Sequence, residues 1–462
     1  YLETIWAALR SGLYYTPVNW HLTAPEIAHI ISDCGARSVV TEQAFLERAG
    51  DPGVELPLMM DGATAGWDSY EDALSVQSGE PLGDEPEGAG MYYSSGTTGR
   101  PKGILFPLSG RQVSEPSPML LPGSPWRFDE ETVYLSGLVG AIEAARSGVT
   151  LLVDHHASPS FIPGSLDVLR RAVEEVGLRS VLCYEVTDRN GPEGRDLGLE
   201  ETRRFLSGDL GSSTRGMVGG HASFTLSGES LERLAAVVQE TGAPFHIHVA
   251  EDRADVQDCR ERFGMGLVER FARQGLLRPS TILAHGVHLS PAELETAQES
   301  GAWIAHNPRS NMNNDVGYAP TRAFSQAALG TDGMDGDVLA ESRVAFLQMR
   351  EAGRDDAFGA ALRFLSGGHR LASALFGRTF GTLDAGAPAD LVILEYPSPT
   401  PIHEANLGGH LLFGIDRSHV RSVMVGGRWV VRDRKVATVD AAAALARARE
   451  AAPELWRRME AL

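Results

Sequence analysis

The chain has few cysteines and almost no lysine. Its three cysteines, Cys34, Cys183 and Cys259, are odd in number and far apart, and no C-x-x-C spacing occurs. This argues against a disulfide framework and against a cysteine zinc site, so we expect three buried thiols. Lysine occurs only at Lys102 and Lys435, and arginine carries nearly all the positive charge. In a chain that uses arginine almost everywhere else, we expect a lysine where the narrow ammonium group must reach a phosphate.

Long apolar runs and an excess of positive charge are also missing. No run of about 18 apolar residues occurs and no apolar segment with a basic flank opens the chain, so we expect no membrane span and a cytoplasmic protein. The 462 residues carry 41 Lys and Arg against 61 Asp and Glu, a net charge of −20. A field of that sign argues against nucleic acid or an anionic membrane as partner and favours a small molecule.

Length and pattern predict several domains. Residues 1–107 alternate helical and strand patterns, including a helix that begins after Thr23, with Glu26 placed to complete a capping box. Residues 108–125 have no periodicity and contain four prolines, which predicts a junction between domains. The chain opens with Tyr1 inside a helical pattern, and we interpret this as a truncated N-terminus.

From residue 126 onwards, strand, polar tip and helix repeat. Seven candidate strands lie at 149–156, 179–186, 215–221, 244–251, 280–288, 302–307 and 327–332. The alternation predicts an α/β fold with a parallel sheet, and its spacing is that of a (β/α)₈ TIM barrel over residues 126–373, short of one strand. Nearly every strand ends in His, Asp, Asn or Glu, where such barrels carry their chemistry. Residues 374–435 predict a small β module, and residues 436–462 predict a closing helix interrupted by Pro453.

A glycine- and hydroxyl-rich loop, YSSGTTGRPKG, spans residues 93–103. Its candidate phosphate-binding residues are Ser94, Ser95, Gly96, Thr97, Thr98, Gly99 and Lys102. Backbone N–H groups and hydroxyls in such a turn donate hydrogen bonds to phosphate oxygens. The loop and the preceding segment WAALRSGLYYTPVNWHLTAPEIAHIISDCGARSVV resemble the adenylate-forming (acyl-CoA synthetase) superfamily over residues 1–107. The Y-G-x-T-E segment, the T-G-D aspartate and the C-terminal lysine that this resemblance requires are missing, so we interpret the AMP-binding fragment as vestigial.

A second group of polar residues suits a metal. His246 and His248 in HIHVAED share one face of a strand because side chains alternate with period two, and Glu251 follows beyond the strand end. His285 ends the next strand and Asp332 ends the last. Imidazoles and carboxylates at successive strand tips suit Zn²⁺ or Fe²⁺ with one position open for water.

The segments VDHHASP, HIHVAED, LAHGVHL, AHNPRSNMNN, GYAP and LGTDG resemble the amidohydrolase superfamily, in its mononuclear deaminase and chlorohydrolase branch. The resemblance implies one Zn²⁺ or Fe²⁺ held by His248 and Asp332, with Asp332 also orienting the attacking hydroxide. It implies that Glu251 moves the proton and that His285 polarises the substrate. The residues implied to line the substrate pocket are His155, His156, Tyr184, His221 and Asn307. The implied reaction is the hydrolytic deamination of an amino-heterocycle.

The chain departs from that family at its metal site. The family places an H-x-H at the end of its first barrel strand, and no H-x-H precedes His246. His155 and His156 are adjacent, so at most one of them can face a metal. We therefore expect an impaired aminohydrolase whose N-terminal quarter has been replaced, by gene fusion or by a joining error in the sequence record. The alternatives are an acyl-CoA ligase-type adenylating fragment that uses ATP, and a catalytically inactive hybrid. Homo-oligomer formation is left open.

Overall fold

A computed structural model shows the chain as two compact units, residues 1–120 and 121–462. The structure describes residues 2–79, 82–94, 102–105, 108 and 127–460. The predicted phosphate-loop residues 95–99 and nearly all of the predicted junction at 108–125 lie outside the described residues. The finer division of the chain at residues 107, 125, 373 and 435 therefore stays a prediction.

The N-terminal unit contains two small sheets. Its helices are α1 (Leu2–Leu9), α2 (Ala24–Asp33), α3 (Leu46–Ala49) and α4 (Tyr70–Ser75). Its strands are β1 (Tyr14–Tyr15), β2 (Ser38–Thr41), β3 (Leu56–Met59), β4 (Asp68–Ser69), β5 (Ala89–Ser94) and β6 (Lys102–Leu105). One sheet has the order β1-β5-β6 and the other β2-β3-β4. Helix α2 begins as the sequence predicts, because the backbone N–H of Thr23 donates to Glu26 Oε2 at 2.8 Å.

The C-terminal unit is built on one parallel sheet. Its strands are β7 (Leu151–His156), β8 (Arg179–Val186), β9 (Thr214–Gly216), β10 (Val218–Ala222), β11 (Phe245–Val249), β12 (Ile282–His285), β13 (Trp303–His306) and β14 (Ala327–Leu329). The order across the sheet is β7-β8-β10-β11-β12-β13-β14, and β9 pairs with β8. Only Met217 separates β9 from β10, so these two short strands together count as one position in the sheet. The eight strands therefore fill seven successive positions. The sheet curls into an incomplete TIM barrel, and β7 and β14 are its two ends among the strands that the structure describes. The predicted fold class is confirmed.

Helices return the chain between the strands. They are α5 (Glu130–Arg146), α6 (Ser165–Val176), α7 (Gly191–Ser207), α8 (Gly228–Thr241), α9 (Arg253–Phe263), α10 (Leu267–Arg273), α11 (Pro291–Glu299), α12 (Pro308–Asn313), α13 (Val338–Glu351) and α14 (Ala357–Phe376). Leu182 packs with helix residues such as Leu199 in the largest apolar cluster, whereas its neighbour Val181 belongs to a separate cluster with Ile282 and Trp303. Because adjacent side chains on a strand point to opposite faces, the second cluster lies on the concave face of the sheet.

The C-terminal residues form the predicted β module and closing helix. The module contains α15 (Glu404–Gly409) and an antiparallel sheet of β15 (Leu391–Leu394), β16 (Val420–Val425), β17 (Arg428–Arg432) and β18 (Lys435–Val436), and α16 (Ala441–Glu460) follows. Helix α16 continues through Pro453, so the predicted interruption is wrong. A proline removes one backbone donor and disfavours the helix interior, but it does not always end a helix. Across the described ranges, no helix is both long and apolar enough to cross a membrane.

Candidate active site

Histidines from several strands meet on the concave face of the sheet. The ring of His155, on β7, lies 4.5 Å from the ring of His246 and 4.6 Å from that of His248, both on β11. His155 Nε2 also lies 3.9 Å from Glu185 Oε2 on β8. One ligand atom each of His155, Glu185 and His248 lie within 4.8 Å of one another, a spacing that a metal ion could bridge.

His248 is held with one ring nitrogen available. Its Nδ1 lies 2.8 Å from the backbone oxygen of His221, at the end of β10. A carbonyl oxygen can only accept a hydrogen bond, so Nδ1 carries the proton and Nε2 keeps its lone pair. A hydrogen bond from the second ring nitrogen to a protein oxygen is the arrangement that orients metal-binding histidines.

A second group joins β11, β12 and β14 at their carboxyl ends. His285 Nε2 lies 3.7 Å from Glu251 Oε2 and 3.8 Å from Asp332 Oδ2. The histidine side chain is 1% exposed, and each carboxylate side chain is 31% exposed. Two partly open carboxylates around a buried imidazole form a site that solvent and a small molecule can reach from one side.

Helix α12 positions all three members of this group. Ser310 donates a hydrogen bond to Asp332 Oδ2. Asn311 Oδ1 accepts from His285 Nδ1 at 2.8 Å, and the amide of Asn314, which caps the helix, donates to Glu251 Oε1 at 3.0 Å. The segment SNMNN therefore supplies one polar contact to each reactive side chain.

Three of the seven non-glycine residues with positive φ in the described part of the chain lie at these strand ends. Ala250, His285 and Asp332 have φ angles of 49°, 72° and 50°, which are unfavourable for residues other than glycine. Each such residue costs on the order of 1–3 kcal/mol, and residues of this kind cluster at functional sites. Gly330 shows a related constraint, because a Cβ there would stand 2.2 Å from Asn307 Oδ1.

Burial keeps His155 and His248 neutral. Loss of solvent lowers the pKa of His155 well below its usual value, and the neighbouring imidazoles lower it further. Burial and the nearby His285 likewise lower the pKa of His248. Burial opposes ionisation of Asp332, but the hydrogen bond from Ser310 and the two histidines outweigh it and lower its pKa. Neutral imidazoles and an ionised carboxylate are the states that bind a metal ion.

The structure brings most of the predicted site residues together. His155 and His221 lie beside His248, with the His221 ring 5.5 Å from it, and the amide nitrogen of Asn307 lies 3.4 Å from both ring nitrogens of His285. The rings of His248 and His285 are 5.5 Å apart. None of the three groups with metal-ligand spacing contains both His248 and Asp332, so their joint role as ligands stays a prediction.

Two predicted pocket residues lie on the other face of the sheet. Tyr184 is buried in the apolar cluster between the sheet and the helices, and His156 Nε2 hydrogen-bonds to Ser158 Oγ at 2.9 Å. Both positions follow from the alternation of side chains along β7 and β8, which turns His155 and Glu185 towards the histidines. In the N-terminal unit, Ser94 and Lys102 are paired across β5 and β6.

No place in the site was predicted from the sequence for Cys183 and Glu185, nor for Ser310 and Asn311 on α12 and Asn314 directly after it. For Cys183 and Glu185 a signal was present, because period-two alternation in the predicted strand 179–186 places them on one face and Tyr184 on the other. For Ser310, Asn311 and Asn314 only the structure shows which side chain each one contacts.

The donor set fits a divalent metal. His248 and His285 each use Nδ1 for a protein oxygen and leave Nε2 for another partner. Imidazole nitrogens with Asp and Glu oxygens are the ligands that zinc takes in catalytic sites. An incomplete (β/α) barrel with these groups at the carboxyl ends of its strands defines the chain as a barrel enzyme whose candidate active site lies at that end.

Comparison with known families agrees with this class. The amidohydrolase family matches residues 110–430, and the chain belongs to that family. The AMP-binding enzyme family matches residues 1–138, which confirms the resemblance of the N-terminal residues to adenylate-forming enzymes. The expectation of a hydrolase that acts on non-peptide C–N bonds is confirmed by the family and by the deaminases among its relatives.

Two relatives of the chain are deaminases of adenosine-like compounds by name. The chain is 30% identical over 338 residues to 5-methylthioadenosine/S-adenosylhomocysteine deaminase of Desulforudis audaxviator, covering 70% of this chain and 76% of that protein. It is 29% identical over 340 residues to 5'-deoxyadenosine deaminase of Methanosarcina mazei, covering 71% and 77%.

Two solved structures share the fold. An adenosine deaminase from Xanthomonas campestris with bound zinc has a TM-score of 0.63 and 24% identity, over 72% of this chain and 77% of that chain. The zinc complex of atrazine chlorohydrolase from Arthrobacter aurescens has a TM-score of 0.61 and 19% identity, over 70% and 77%.

Proposed function

We propose that the chain removes the exocyclic amino group of an adenosine-like heterocycle by hydrolysis and releases ammonia. The observation that carries this proposal is the convergence of Glu251 and Asp332 on His285, whose Nε2 lies 3.7 Å and 3.8 Å from their carboxylate oxygens. The deaminases among the relatives support the choice of an adenosine-like substrate.

One Zn²⁺ or Fe²⁺ would be held by His248 and Asp332. When bound, the metal acts as a Lewis acid and lowers the pKa of a water molecule towards about 7. The fit rests on the free Nε2 of His248 and on the lowered pKa of Asp332, which keeps that carboxylate ionised. Ser310 orients the same carboxylate by donating a hydrogen bond to it.

Glu251 moves the proton in this mechanism. Its carboxylate accepts a proton from the attacking water, and the hydroxide adds to the ring carbon that bears the amino group. The C–N bond then breaks, and Glu251 returns the proton to the departing ammonia. The amide of Asn314 holds Glu251 Oε1, which leaves Oε2 on the side of His285.

We assign His285 the role of polarising the substrate. Because Nδ1 donates to Asn311, Nε2 can donate to the substrate only when it also carries a proton, which the facing carboxylates of Glu251 and Asp332 stabilise. The hydrogen bond to Asn311 fixes the ring so that Nε2 faces the two carboxylates. His155, His221 and Asn307 form the walls nearest to His248 and His285.

We propose that this chain turns over its substrate more slowly than a relative with a complete metal site. The sequence has no H-x-H before His246, so the metal would be held without the two histidines that the family places at the end of its first barrel strand. A metal held from one side positions its water poorly against Glu251, and small errors in position are costly in rate.

The direct experiment is an ammonia-release assay on zinc-supplied protein. The substrates are 5'-methylthioadenosine, 5'-deoxyadenosine and S-adenosylhomocysteine, with guanosine and cytidine as comparisons. We expect slow release from the adenosine-like compounds that Asp332→Asn abolishes and that Asp315→Asn, at an exposed aspartate, retains. Equal release from the wild type and from Asp332→Asn would refute the assignment of the site.

A further inference from the structure

The thiol of Cys183 lies on the concave face of the sheet, beside the residues of the proposed active site. One ligand atom each of His155, Cys183 and His246 lie within 4.8 Å of one another. Cys183 Sγ is 3.8 Å from His246 Nδ1. In a tetrahedral zinc site, with Zn–S near 2.3 Å and Zn–N near 2.0 Å, a sulfur and a nitrogen ligand are about 3.5 Å apart. The three side chains therefore need only small movements to bind one ion.

A glycine makes this approach possible. Cys183 is on β8 and His246 is on β11, and β10 lies between these strands. Two strands separated by a third are about 9.6 Å apart, so the side chains must converge across the middle strand. The residue of β10 opposite His246 is Gly219. A Cβ on Gly219 would stand 2.9 Å from Cys183 Sγ and 2.3 Å from the backbone oxygen of Tyr184.

His155 has no hydrogen-bond partner among the described residues. The His155 side chain is 9% exposed, yet neither ring nitrogen makes a hydrogen bond within the described residues. A buried polar group without a hydrogen-bond partner is destabilising, so a ligand that satisfies it is favoured. The next strand over supplies a ligand beside it, because His155 and Cys183 are paired in the register of β7 and β8.

We propose that His155, Cys183 and His246 form a second metal site, which takes a thiophilic divalent ion such as Zn²⁺ or Co²⁺. The Cys183 thiol, which donates to the backbone oxygen of Asp154 at 3.6 Å, loses its proton to solvent when the ion binds. Two imidazoles and one thiolate favour such an ion over Mg²⁺ or Ca²⁺, which take oxygen ligands. The bound ion would cross-link β7, β8 and β11 and so brace the end of the sheet at β7.

The test uses the reduced, metal-free full chain titrated with Co²⁺. We expect a thiolate-to-cobalt charge-transfer band in the near ultraviolet that saturates with one equivalent of the ion. Cys183→Ala should remove this band, and His155→Ala should weaken Co²⁺ binding at least 10-fold. The double variant Cys34→Ser/Cys259→Ala keeps Cys183 as the single thiol and should keep the band. Asp332→Asn should also keep it, which separates this site from the proposed catalytic metal.

Several results would overturn the proposal. They are no charge-transfer band in the wild type, a band retained in Cys183→Ala, or a band lost in Cys34→Ser/Cys259→Ala. Far-ultraviolet circular dichroism of each variant checks that the fold is kept. If Cys183→Ala does not fold, the double variant still decides, because its band can come only from Cys183.

Discussion

His285 Nδ1 donates a hydrogen bond to Asn311 Oδ1 at 2.8 Å, which leaves its Nε2 facing Glu251 at 3.7 Å and Asp332 at 3.8 Å. In the neutral ring Nε2 has a lone pair, and both carboxylates are acceptors. Three electron-rich groups that face one another are stabilised by a cation or a proton between them. Because Asn311 holds the ring of His285 in this orientation, the site favours the binding of a positive charge between Nε2 and the two carboxylates.

Replacing Asn311 tests whether it positions His285. Asn311→Ala leaves Nδ1 without its acceptor and allows the ring to turn or to change tautomer. We expect kcat to fall about 10- to 100-fold, as for other residues that orient a reactive histidine, while KM changes less than 3-fold. Steady-state ammonia release measures both values. Met312→Ala, at an exposed neighbour on α12, is the control and should keep kcat; equal losses in both variants would mean that Asn311 acts only through stability.

Asp255 gives the fold a defined pH dependence. Its carboxylate is buried and accepts backbone hydrogen bonds from Ala250 and Phe224, and burial raises its pKa to about 6. An aspartate in the unfolded chain ionises near pH 4, so the folded state binds the proton more tightly. The stability from this group is full below about pH 4 and is lost as the pH rises through about 6.

The measurement is urea unfolding at pH 5 and pH 7. Between these values the free energy of unfolding of the wild type should fall by about 1 kcal/mol more than that of Asp255→Asn. Glu261→Gln, at an exposed position further along α9, should behave like the wild type. An unchanged pH dependence in Asp255→Asn would show that Asp255 does not titrate in this range.

The N-terminal unit should not bind ATP at micromolar concentrations. The sequence keeps the glycine-rich loop and Lys102 but lacks the segments that hold the adenylate and the ribose in adenylate-forming enzymes. Phosphate contacts alone fix neither the base nor the sugar. Isothermal titration calorimetry should give no saturable heat. Saturable binding that Lys102→Ala removes, together with ATP–pyrophosphate exchange, would instead support the acyl-CoA ligase-type alternative.

Much of the barrel could be predicted from its sequence. Strands such as β8 and β11 are apolar runs that end in polar residues, and the intervening helices carry caps and periodic apolar faces. Period-two alternation also predicts that His155 and His156 face opposite sides, as the structure shows. Local patterns of this kind are set by nearest neighbours along the chain, so one sequence is enough to read them.

The pairing of side chains across strands could not be predicted. The contact between Cys183 and His246 depends on the order of strands and on a glycine in the strand between them. The partners of His285 likewise come from the residues after β11 and β14 and from α12. Such contacts are fixed by tertiary packing, which no periodicity in the sequence encodes. The continuation of α16 through Pro453 is a further case, because a local rule against proline predicted a break there.

The most direct test of the account is ammonia release from 5'-deoxyadenosine by four zinc-supplied proteins. These are the chain itself, a repaired chain in which the N-terminal segment of the Desulforudis audaxviator deaminase replaces residues 1–125, and the repaired chain with either Glu251→Gln or the control Glu295→Gln. We predict low turnover by the unrepaired chain and at least 100-fold faster release after repair. Glu251→Gln should lower the repaired rate by about 10²- to 10⁴-fold with zinc retained, since only proton transfer is removed, and Glu295→Gln should not. Ordinary turnover by the unrepaired chain, near 10 per second, or full activity of the repaired chain with Glu251→Gln, would contradict the account.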